Sequence, residues 1–130
     1  MLEDLTSYLL SMSGREARRR LAGRVQLAEF ALLARLSEHG PASQRTLGER
    51  LRKDPADMVR LLDTAEANGL VRRDLDTTDR RRRVVSLTPG GEAALAAALD
   101  TARGVQEELL APLSAAERHT LHELLERLPR

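Results

Sequence analysis

Among its 130 residues the chain has no cysteine, no tryptophan, one tyrosine and one phenylalanine. The lack of thiols excludes disulfides, thiolate metal sites, a cysteine nucleophile and any switch based on thiol oxidation, and makes the cytosol the expected compartment. With Tyr8 and Phe30 as its aromatics, any small-molecule pocket must be lined by aliphatic side chains. No run approaches the roughly 20 apolar residues of a membrane span. Met1 leads into Leu2-Glu3-Asp4 instead of a basic start and an apolar stretch, so neither a membrane-embedded nor a secreted protein is expected. A glycine-rich phosphate loop and a Ser, His and Asp nucleophile motif are missing, which argues against an enzyme, and no cofactor is expected. His119 and His122 lie three apart beside Glu123, and His39 stands alone. That set lacks a second group of ligands, so no metal site is expected.

The net charge of +1 hides an uneven distribution. Residues 1–88 carry 17 basic and 13 acidic side chains, whereas residues 89–130 carry 4 and 7. Twenty of the 21 basic residues are arginine, the side chain whose planar fork best matches phosphate and guanine. Their position matters more than their number.

Helical periodicity predicts a first helix over residues 2–21, with Leu2, Leu5, Leu9 and Met12 on one stripe and a bend at Gly14. A second helix over 27–38 ends at His39-Gly40-Pro41. Ser43 caps a short helix to Leu51. Asp54 then caps another, with Pro55 in its first turn, an inward stripe of Met58, Leu61, Leu62 and Ala65, and a stop at Asn68-Gly69. Two short helices joined by a tight turn make a helix-turn-helix. Beyond them, residues 70–73 and 84–87 read as strands flanking the charged segment Asp74 to Arg83, which is a β-hairpin or wing. Thr88-Pro89 opens a long helix that bends at Gly104, and Ser114 with Glu117 forms a capping box for a last helix carrying Leu121, Leu124, Leu125 and Leu128. The fold class is mainly α with a small β-hairpin wing: a winged helix-turn-helix with N- and C-terminal dimerisation helices. At this length one domain is expected over 1–130, with a DNA-binding lobe at 27–88 and dimerisation helices at 1–24 and 89–130.

The chemistry of this arrangement points to double-stranded DNA. The helix starting at Pro55 turns Ala56, Asp57, Val59, Arg60 and Asp63 outward, and its N-terminal residues are best placed to reach base edges. Arg60 suits guanine O6 and N7, Val59 a thymine methyl, and Asp57 either accepts from cytosine N4 or completes the helix cap. Arg45, Arg52 and Lys53, together with Arg50, suit phosphates or ordinary solvated surface. The wing cations Arg80, Arg81, Arg82 and Arg83 suit the backbone and a narrow minor groove, with Asp79 orienting Arg81 through a local ion pair.

These residues carry a resemblance. Leu47 to Leu51, Asn68-Gly69-Leu70-Val71, the Asp-x-Arg pattern at Asp79-Arg80-Arg81, and Leu87-Thr88 followed by Gly91 together resemble the MarR (multiple-antibiotic-resistance regulator) family over nearly the whole chain. The resemblance implies an obligate homodimer in which the first, fifth and sixth helices intertwine. It also implies entry of Arg81 into the minor groove braced by Asp79, and a small lipophilic or phenolic effector bound between the dimerisation and DNA-binding parts. Two departures stand out: Asp57 and Val59 occupy positions where the family often has hydroxyls, and the link between the first two helices is short.

The apolar ends argue for a homodimer on their own, since one small domain cannot bury Leu5, Tyr8 and Leu9 together with Leu109, Leu113, Leu121, Leu124 and Leu128. A symmetric dimer sets two recognition helices about one DNA turn apart and predicts a pseudo-palindromic operator. The expected function is therefore a sequence-specific transcription regulator acting as a repressor. The alternative is a winged-helix interaction module whose arginines dock on an acidic protein partner.

Overall fold

Side-chain caps start four of the helices in the computed structural model, which describes residues 1–130. Ser43 Oγ accepts from the Thr46 amide at 3.1 Å and opens α3 (Gln44–Leu51). Asp54 Oδ1 accepts from the Asp57 amide at 2.8 Å and opens α4 (Pro55–Ala67), with Pro55 in its first turn, where a missing N–H costs nothing. Thr88 Oγ1 does the same for Gly91 at α5 (Pro89–Leu109). The Ser114–Glu117 capping box, closed in both directions, opens α6 (Ala115–Glu126).

The start of the chain departs from expectation. Leu2–Asp4 forms a 3-10 turn, and Leu5 takes an extended backbone, so α1 runs over Thr6–Ala22. The N-terminal amine pairs with both Glu3 and Asp4, which closes this turn on itself. Gly14 and Gly104 each lie within an uninterrupted helix. After α1, a short link leads to α2 (Leu27–His39).

The chain divides into two compact units, Arg24–Asp100 and a second formed by Met1–Gly23 with Thr101–Arg130. The division falls inside α5 instead of at its start, because Leu95, 7% exposed, belongs to the core of the first-named unit and Ala94 packs against that core.

In the Arg24–Asp100 unit, Leu32, Leu33 and Leu36 of α2, Leu47 of α3, and Met58, Leu62 and Ala65 of α4 close on Val71, Val85 and Leu95. The wing strands are β2 (Val71–Leu75) and β3 (Arg83–Leu87), each longer than the sequence suggested, paired antiparallel from Val71 opposite Leu87 to Leu75 opposite Arg83. A third strand was not anticipated. Ala42–Ser43 forms β1 on the other edge of β3, with Ala42 opposite Val85, giving the order β1-β3-β2. Two residues carry no alternation to read; their pairing is a tertiary effect.

The other unit holds α1, the end of α5 and α6, and only Val105 in it is buried. Arg118 fixes the connection between α5 and α6 by donating from Nε to the carbonyls of Leu110 and Leu113 at 3.0 and 3.2 Å, and from Nη1 to Glu107 at 2.7 Å. On α1, Glu16 accepts from Arg19 and Arg20, and these bonds lower its carboxyl to about 2. No helix is long and apolar enough to cross a membrane.

Candidate nucleic-acid interface

The helix-turn-helix, the wing and the turn between them all belong to the Arg24–Asp100 unit, so their geometry is set by one core. α4 buries Met58, Leu62 and Ala65 and turns Ala56, Val59, Arg60 and Asp63 to the surface, while Asp57 is half-buried. Asp54, not Asp57, caps the helix: its carboxylate takes the Asp57 amide, and that bond holds its pKa below the ordinary carboxylate value. The Asp57 carboxylate is left to pair with Arg60, one turn along.

Between α3 and α4 the chain turns at Arg52, in left-handed backbone with φ 54° and ψ 44°. The two other left-handed positions, Gly40 and Gly69, are filled by glycine, which adopts this conformation without cost. Arg52 is exposed there.

An open basin of about 1130 Å³ lies among α3, the first turns of α4 and the wing. It brings together Arg45, Arg52, Lys53, Val59, Asp79, Arg81, Arg82 and Arg83 from the expected set, and adds Gln44, Thr46 and Glu49. Ala56, Asp57, Arg60 and Arg80 lie outside its lining. Six of the lining side chains are cations and two are acids, an excess that draws polyanions.

The wing tip, Asp76 to Arg82, is a folded turn. Asp76 Oδ1 accepts from both the amide and the hydroxyl of Thr78, at 2.9 and 2.8 Å, and the Thr78 amide in particular holds the Asp76 carboxyl below its ordinary value. The Arg82 amide donates to the Asp79 carbonyl at 3.0 Å. Asp79 Oδ1 also accepts from the amide of Arg81 at 3.0 Å and from its Nε at 3.3 Å, leaving the Arg81 side chain 92% exposed. The wing acids, which dilute charge when counted along the sequence, are thus turn formers that fix where the arginines project.

One contributor was missed entirely. Arg73 on β2 donates to Asp63 at 2.7 Å and to Glu66 at 2.9 Å, and its own amide donates to Glu66 at 3.0 Å, so it ties the wing to α4. Arg73 side-chain bonding keeps the Glu66 carboxyl below its usual value. The partners lie on different elements, beyond the reach of any spacing rule within one helix. The expected dimerisation residues all belong to the other unit, where Leu5, Leu9, Leu124 and Leu128 are exposed and Tyr8, Leu109, Leu113 and Leu121 are partly so.

Comparison with known proteins agrees with this geometry. A family model described as the MarR family matches residues 25–82, which span α2 to the wing tip. The transcriptional regulator HosA of Escherichia coli is 35% identical over 100 residues, covering 77% of this chain and 74% of HosA. The HTH-type transcriptional repressor NicR of Pseudomonas putida is 34% identical over 100 residues, covering 77% of this chain and 63% of NicR. A crystal structure of a mutant MarR from E. coli complexed with operator DNA is 27% identical and superposes with a TM-score of 0.71 over 95% of this chain and 93% of that one. With its helix-turn-helix, its wing on a three-stranded sheet and this degree of similarity, the chain belongs to the MarR family of DNA-binding transcription regulators.

Proposed function

We propose that the chain is a homodimeric repressor that binds a pseudo-palindromic operator and is released from it by a small lipophilic or phenolic effector. The observation that carries the DNA reading is the cationic basin beside an exposed α4 face and a hydrogen-bonded wing, all in one compact unit. In this reading α4 enters the major groove with Ala56, Asp57, Val59 and Arg60 toward base edges. Arg81, braced by Asp79, enters the minor groove, and Arg45, Arg52, Lys53, Arg80, Arg82 and Arg83 contact phosphates. The exposed leucines of the Met1–Gly23 and Thr101–Arg130 unit support the dimer. The repressor role follows the name of NicR, and the operator follows the MarR complex.

The test is a titration of duplex DNA taken from beside the gene across a range of salt. Affinity is expected to fall steeply with salt, and Arg81→Ala to weaken binding about tenfold on every sequence, as a groove contact without base reading does. A purified dimer that binds no duplex in a salt-sensitive manner would end this reading.

Arg52 yields a second expectation. A left-handed arginine costs about 1 kcal/mol that glycine does not, so Arg52→Gly is expected to raise the denaturant midpoint while weakening duplex binding several-fold through loss of a phosphate contact. An unchanged or lowered midpoint would show that no strain resides at this turn.

A further inference from the structure

The chemistry of α4 singles out one pair. Asp57 and Arg60, three residues apart, form an ion pair on the outward face, with the Asp57 side chain 44% and the Arg60 side chain 72% exposed. Asp54 already takes the cap amide, so the Asp57 carboxylate, which also favours the positive end of the helix, is left to pair with Arg60. Asp63, the other acid on this face, is bound to Arg73. Ala56, one turn back from Arg60 and exposed like it, carries no charge to compete for the guanidinium. The pair touches the guanidinium through Nη2 alone, so most of its N–H donors stay available.

A carboxylate facing DNA is costly, because it repels the phosphates that supply most of the affinity. Here it stands in the first turn of the helix proposed to read bases. We infer that Asp57 is a specificity-determining positioning residue: through its bond to Nη2 it orients the Arg60 guanidinium for reading a guanine, and it forgoes affinity for DNA of other sequence. A free arginine has many rotamers and can settle on any nearby phosphate; a braced one presents its fork in one direction. The inference rests on the reading of α4 as the recognition helix.

The experiment selects preferred sites from a randomised duplex library with the wild-type protein, Asp57→Asn, Arg60→Ala and the double variant, and then titrates each protein on the selected site and on its single-base variants. Wild type is expected to select one G·C pair per half-site and to prefer it about tenfold over other pairs. Arg60→Ala loses that preference. Asp57→Asn, which keeps the side-chain shape but not the charge, also loses it at the same base pair while binding random duplex several-fold more tightly. The double variant discriminates no worse than Arg60→Ala. Thermal midpoints within a few degrees of wild type show that the variants are folded.

If Asp57→Asn keeps the full preference, or weakens binding equally on all duplexes, the positioning role is overturned while the regulator reading stands. If wild type binds duplex DNA with no preference at all, base reading by α4 falls, and this inference falls with it.

Discussion

Replacing Leu9 and Leu124 together by glutamate is expected to leave a folded monomer whose duplex binding has dropped by about 10²- to 10⁴-fold, the loss incurred when two linked half-site contacts become independent. Leu9 is 48% and Leu124 50% exposed in the single chain, so a charge at either costs the chain's own fold within about 0.5 kcal/mol. The unit they belong to buries Val105 and nothing else. Met1, Leu2, Leu5, Leu10, Met12, Leu125 and Leu128 of the same unit are exposed as well, against Val59, Leu75 and Leu99 in the other. That concentration of exposed apolar side chains supports the proposed dimer face. In a two-fold dimer each substitution enters the interface twice, so four carboxylates are carried into an apolar face at the cost of their hydration, and the dimer separates. Sedimentation equilibrium and duplex titration check the two halves of this expectation. A variant dimer of undiminished strength puts the interface elsewhere, and a monomer with full duplex affinity breaks the link between assembly and DNA binding.

How much of this could be read from residues alone depends on the range of the forces involved. Ser43, Asp54 with Pro55, and Ser114 with Glu117 mark helix starts through bonds to amides three residues on, and all three stand where the sequence placed them. The inward stripe of α4 was legible because burial repeats with the helical period. The Asp79–Arg81 contact was legible because it spans two residues. What escaped was non-local. The Ala42–Ser43 strand exists only because β3 is beside it, and Arg73 finds Asp63 and Glu66 across the junction of wing and helix. The place of Leu95 is non-local for the same reason, since it joins a core made by α2, α3, α4 and the sheet. Asp76 differs: its acceptance of the Thr78 amide is a short-range turn that Asp-Thr-Thr announces, and attention to charge alone concealed it.

Gly91→Ala is expected to destabilise the Arg24–Asp100 unit by about 3 kcal/mol, although in most helix positions the same change stabilises by about 1 kcal/mol. The reason lies in how α5 begins. Thr88 Oγ1 accepts from the Gly91 amide at 3.0 Å and donates to the Gly69 carbonyl at 2.5 Å, while the Thr88 amide donates to the Leu70 carbonyl at 3.1 Å. The first turn of α5 is thereby drawn onto the backbone that links α4 to the wing. A Cβ on Gly91 would overlap the Leu70 carbonyl oxygen and stand 3.0 Å from Leu87 Cδ2. Backbone oxygen cannot swing aside as a flexible side chain can, so α5 must lift, and the Thr88 bonds and the seat of Leu95 go with it. This is the physical content of the Leu-Thr-x-x-Gly pattern. Gly104, farther along the same helix, supplies the contrast: a Cβ there meets nothing within 4 Å in the chain, so Gly104→Ala is expected to stabilise by about 1 kcal/mol. Denaturant unfolding of the two variants should therefore move in opposite directions. Because the wing hangs from this junction, Gly91→Ala should also weaken duplex binding under conditions where the protein remains folded. If both alanines stabilise alike, the close approach of α5 to Leu70 does not govern the stability of this fold.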